Sequence, residues 1–238
     1  TSYGILTYNI FKELVAQGHN VSFTPCGGVD GNSFTPEYHE LLNKCHTNVR
    51  KPHLFVDGVS LHINHQFNVA SHIGRGKKIA LSIWELDRLN EMELNHLQMN
   101  DLVLTTTTFH RDILRANNIK SEFVPLGVDR SIFHENVRPA QLNIPEDTTV
   151  FLYVSKIERR KGIDVLRQEF YKAFCATDNV ALIMLTHNPF LIEYGPNGAV
   201  KRDGNLEGEQ YYKVGELGNK IRFLPRIKTS QELASIMR

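Results

Sequence analysis

"FLYVSKIERRKGIDVL", residues 151–166, decides how this chain is read. An apolar run ends at Ser155, five charged side chains fill the six positions from Lys156 to Lys161, and apolar spacing then resumes. "TVFLYVS" reads as a buried strand and "KGIDVLRQEFYKAFC" as an amphipathic helix, so the charge sits in a strand-to-helix turn. Lys156 and Lys161 lie five positions apart across that turn, close enough for both ammonium groups to converge on one anion. Backbone N–H groups and the dipole at the helix start add to the attraction. The competing reading is a solvated basic turn.

Outward from this turn, strands and helices alternate, which favours parallel sheets wrapped by helices. In the first half, "YGILTYNIFKELVAQGHNV" has apolar residues at helical spacing and a glycine stop at Gly18. "NVSFTP" follows as a short strand, "GGVDGNSFTPEY" as a loop and "EYHELLNKC" as a short helix. "HLFVDGV" and "KIALSIWE" read as strands joined by a His-rich connection and "IGRGKK". "ELNHLQMN" is helical, "DLVLTTT" a strand, "FHRDILRANNI" a helix and "SEFVPLG" a strand. "GVDRSIFHENVRPAQLNIPEDT" has little periodicity and reads as a linker centred on Pro139 to Pro145. Beyond it, "NVALIMLT" is a buried strand, "GEQYYKVGELG" a helix, "KIRFLP" a strand and "SQELASIMR" a helix. Ser230 is the N-cap candidate there, and Leu233 three places on rules out a capping box from that residue. The expectation is two α/β domains, 1–140 and 141–238, facing across a cleft.

With 238 residues the chain can bury a core of its own, and 27 basic against 26 acidic residues exclude a nucleic-acid-coating or polybasic membrane protein. No apolar run approaches membrane-spanning length, which leaves only peripheral membrane contact open. Cys26, Cys45 and Cys175 are scattered without metal or CxxC spacing, as suits reduced thiols in the cytoplasm. His62, His65 and His72 lack zinc-type spacing and read as hydrogen-bonding or solvent-facing groups. Neither a nucleophile elbow nor a GxxxxGK[ST] loop is present. Both ends read as cut: helical pattern begins almost at Thr1, and the last helix has no stop signal before Arg238.

"VSKIERRKGIDVLRQEF" resembles the segment that opens the second domain of retaining GT-B glycosyltransferases of family four, V-G-R-L-x-x-x-K-G-x-D-x-L-x-x-A-F. The match runs through Val154, Lys156 for Arg, Ile157 for Leu, Lys161, Gly162, Asp164, Leu166 and Phe170. Ser155 replaces the family's Gly, and Lys156 lacks the two-pronged grip of a guanidinium. "GILTYNIFKELVAQGHNVSF" is similar to the family's first helix, with Gly4 as the last glycine of its Gly-rich loop. "SIWELDRLN" resembles a W-E-x-x-R-x-P segment, placing Glu85 where many relatives carry a sugar-contacting His; Trp84 beside it reads as a packing residue. "FVPLGVDRSIF" resembles V-x-P-N-G-V-D-x-x-x-F through Gly127, Val128, Asp129 and Phe133, a turn whose first duty is structural.

The resemblance implies a GT-B fold of two Rossmann-like domains, the second incomplete, and transfer of a sugar from a nucleotide-diphosphate sugar with retention. It implies Glu85 and Lys161 as catalytic groups, and Gly4, Ser155, Lys156 and Lys161 as the donor-binding set. No metal or cofactor is implied, and the acceptor is a glycan, lipid-linked or protein hydroxyl. The family's acidic motif of two glutamates eight apart would fall beyond Arg238, so this stretch by itself is expected to be inactive. A GT-B phosphorylase, a sugar-nucleotide epimerase and a non-catalytic GT-B-like binding module are the alternatives.

Overall fold

A computed structural model describes residues 2–25, 39–43, 45, 56–187, 192–195, 198–201, 217–225, 227 and 229–238. The chain is mixed α/β with parallel sheets, and it divides into two compact units, Thr1–Asp129 and Arg130–Arg238.

The first unit is built on a four-stranded sheet, β1 (Ser60–Asn64), β2 (Lys78–Ser82), β3 (Leu102–Thr105) and β4 (Ser121–Phe123), in that spatial order and parallel throughout. Parallel neighbours need crossovers; α2 (Glu91–Gln98) joins β2 to β3, and α3 (Thr108–Ala116) joins β3 to β4. Leu97 of α2 and Leu114 of α3 share one core with Ala80, Trp84 and Val103, so both helices cover the same sheet face. Sequential strand order with right-handed crossovers requires that arrangement. α1 (Ser2–Ala16) stops before Gly18, as its sequence indicated, and buries Tyr8 and Phe11 in a separate cluster with Cys45.

Two strand assignments in this unit need correction. "NVSFTP" forms no strand: Val21 and Phe23 pack onto the α1 cluster and Phe23 N donates to Cys45 O at 3.4 Å, but residues 20–25 join no ladder. In "HLFVDGV", residues 56–59 form a turn and residues 53–55 lie outside the described set; the strand is instead "SLHIN" in the His-rich connection. Parallel pairing to β2 fixes that register, Ser60 opposite Lys78 through Asn64 opposite Ser82, and His62 within it does not prevent it.

The second unit holds β5 (Thr149–Lys156), β6 (Val180–His187) and β9 (Ile221–Phe223), parallel, with β6 in the middle. α4 (Ile163–Ala173) crosses from β5 to β6 and packs Phe170 on Leu182, Met184, Leu217 and Ile221. A hairpin of β7 (Ile192–Gly195) and β8 (Gly198–Lys201) was not anticipated. The irregular segment after Arg130 is tied within this unit: Ala140 N donates to Ser235 O, and Arg222 donates to the carbonyls of Leu142 and Asn143. α5 (Ser230–Met237) is capped by Thr229, not Ser230. Counted from Thr229, the third helical residue is Glu232, and the capping box is complete. "GGVDGNSFTPEY", Cys26 and residues 208–216 of the expected "GEQYYKVGELG" helix lie outside the described residues.

Candidate functional site

The charged turn of the second unit is where the sequence placed it, at the carboxyl end of β5. Lys156 is the last residue of the strand, and Lys161 ends a 3-10 turn, Arg159–Lys161. Gly162 closes the turn at φ 69°, a left-handed conformation that a side chain would oppose, and α4 starts at once. Tyr153 holds the turn against the strand, its phenol donating to Lys161 O at 3.1 Å. Burial raises the phenol's pKa and a hydrogen bond with the Ser155 side chain opposes that rise, so Ser155 is part of the same scaffold.

The four cations of the turn are not equivalent. Arg159 Nε lies 4.0 Å from Asp164 Oδ2, and an Arg160 guanidinium nitrogen lies 3.3 Å from Glu158 Oε2. Lys156 and Lys161 are exposed and carry no ion pair among the described residues. Helix starts make the same distinction. α2, α3 and α5 are capped by the side chains of Asn90, Thr107 and Thr229, whereas α4 begins at Gly162 with no side-chain cap. Two uncompensated ammonium groups beside a helix start without a side-chain cap suit an anion.

Gly4 and Glu85 belong to the first unit and meet around Tyr3. Gly4 is in the first turn of α1, and Glu85 follows β2 on an irregular segment where it is exposed. The Tyr3 phenol donates to Ile83 O at 2.6 Å, tying the start of α1 to the carboxyl end of β2. Burial raises the Tyr3 pKa, the Ile83 hydrogen bond opposes this, and the Glu85 charge adds to the rise. Glu85 is therefore close enough to act on that phenol. The predicted residues thus fall into two groups: Ser155, Lys156 and Lys161 in one turn, Gly4 and Glu85 at one sheet end. Sequence reading missed Tyr3; its signal is a tyrosine one position before the glycine of a helix start.

Trp84 packs, as expected: it is buried and its ring lies 4.1 Å from that of His110. Asp129 pairs with Lys12 of α1 at 3.1 Å, a structural tie within the first unit. Both ring nitrogens of His72 are engaged, by Ser60 Oγ at 2.8 Å and Asn100 Oδ1 at 2.7 Å. Among the described residues, no group of three or more His, Cys, Asp or Glu is arranged to hold a metal, and no helix is long and apolar enough to cross a membrane. No protein-family model and no curated protein matches the chain.

Proposed function

We propose that the chain is part of a retaining GT-B glycosyltransferase, with Lys156 and Lys161 holding the diphosphate of a nucleotide-sugar donor. The observation that carries this reading is the contrast within one turn. The arginines have acidic partners, the lysines have none among the described residues, and the adjoining helix start has no side-chain cap. Such a place stabilises phosphate oxygens best when their charge grows. As the bond from the sugar to the β-phosphate breaks, the departing oxygen gains negative charge, and two ammonium groups beside it lower the energy of that state. The acceptor hydroxyl then gives its proton to the departing phosphate, and no side-chain base is required.

In this proposal Lys156 and Lys161 of the second unit bind the donor, and Glu85 of the first serves the acceptor side. Cys45 and Cys175 are not in disulfides, which suits a cytoplasmic setting. Calorimetric titration of the chain with uridine, guanosine and adenosine diphosphates tests the donor site. At least one should bind, and Lys156→Ala and Lys161→Ala should each weaken it about tenfold or more, since a shielded charge-assisted contact contributes roughly 1.5–3 kcal/mol. Arg159→Ala should change affinity far less. Unchanged affinity in both lysine variants rejects the assignment.

A further inference from the structure

We propose that the carboxyl end of β1 is a saccharide platform, formed by Phe67 and His65 with Tyr3, and that it receives a pyranose ring. Its role as the acceptor site rests on the sugar-transfer reading; its binding of a saccharide does not.

Phe67 is 47% exposed, yet the turn that carries it is pinned at several points. Asn64 Oδ1 accepts from His65 N at 2.8 Å, and Asn68 N donates to His65 O at 2.9 Å. Between them Gln66 is buried, and its amide donates to Glu93 Oε1 at 2.8 Å. Glu93 is itself fixed in the capping box of α2. Phe67 is therefore held out toward water by a rigid polar turn. An aromatic ring fixed in an exposed position loses little freedom when something stacks on it.

The neighbouring groups define what that something is. The His65 ring lies parallel to Phe67, 5° between planes with centroids 5.3 Å apart, and the Tyr3 ring meets His65 edge-on at 4.6 Å. Tyr3 has one phenolic proton, committed to Ile83 O, so at 3.3 Å it accepts from His65 Nδ1–H. In the neutral ring this leaves Nε2 as an acceptor. An acceptor nitrogen beside an apolar ring face calls for a ligand with hydroxyl donors and a C–H face. A pyranose has both; a phosphate has no C–H face to lay on the ring.

The test is saturation-transfer NMR on the whole chain with the methyl α-pyranosides of glucose, mannose and galactose. Transfer to the ring protons of at least one is expected, falling about fivefold in Phe67→Ala and persisting in Phe67→Trp. Lys161→Ala should leave it unchanged. No transfer to any of the three, equal transfer in Phe67→Ala, or displacement by choline at equal concentration overturns the platform. If it fails while the lysines still govern nucleoside diphosphate affinity, the donor assignment stands alone. If the platform binds and the lysines do nothing, the saccharide site stands and the transfer reading goes.

Discussion

β2 and β5 are both apolar strands that run into residues of chemical interest, yet they are packed differently. β2, "KIALS", lies between two parallel neighbours with Ala80, Leu81 and Ser82 buried. β5, "TVFLYVSK", has a longer apolar run but pairs only with β6 among the described strands, and Val150, Phe151, Leu152 and Val154 are 36–45% exposed. Strand sequence says how much apolar surface is offered; neighbours decide how much is taken from water. The first unit has its core at the sheet centre, whereas the second concentrates its core on β6 and α4.

The largest effect expected of this contrast comes from truncating one leucine in each unit. Leu114 is fully buried in α3, and Leu114→Ala should cost about 2–5 kcal/mol in unfolding free energy. Leu152 on β5 keeps 36% of its surface exposed, and Leu152→Ala should cost about 1 kcal/mol or less. Urea denaturation measures both. Equal losses would mean that β5 is covered in solution and that the contrast between the strands is false.

A smaller effect compares helix starts. Thr229→Ala removes the side-chain half of the capping box on α5, the Thr229 hydroxyl that accepts from Glu232 N, and should cost about 1 kcal/mol, as should Asn90→Ala on α2. Ser230→Ala, one place along, should be nearly silent by the same denaturation measurement. A large loss there with none at Thr229 would restore the sequence-based assignment of the cap.

The cap illustrates why some features were legible and others were not. Parallel α/β architecture follows from alternating periodicities, and β3, α3, β5, α4 and β6 are where those patterns lie. The charged turn was legible too, because strand end, cations and Gly162 are contiguous. β1 was misplaced because pairing with β2 outweighs the weak apolar pattern of "SLHIN". The cap was misplaced by one residue because Thr229 and Ser230 are both good caps, and only the position of Glu232 separates them. The Tyr3–His65–Phe67 group joins residues about sixty positions apart through a phenol oxygen and an imidazole nitrogen, a contact that periodicity does not encode.

The smallest effect concerns pH, and it should belong to the first unit. His62 on β1 has its pKa lowered, chiefly by burial and then by the His72 charge, with a Ser71 backbone hydrogen bond opposing. Among the groups around it, the His72 ring stands edge-on at 5.7 Å and is itself bonded to Ser60 and Asn100. His110 in α3 is lowered by burial alone. A histidine with a depressed folded pKa binds protons more readily in the unfolded chain. Stability is therefore full above the unfolded value of about 6.5 and falls as pH drops below it. Asp101 and Asp178, held low first by backbone N–H groups of Lys78 and Cys175, add their loss only at more acid pH. Between about pH 7 and about pH 5 the urea midpoint of the native chain should fall, and that of His62→Gln should fall less. The slope that remains belongs to His110, so His62→Gln with His110→Gln should flatten it further. If the native chain and the double variant show the same slope, burial of these two rings is not what makes the first unit acid-sensitive.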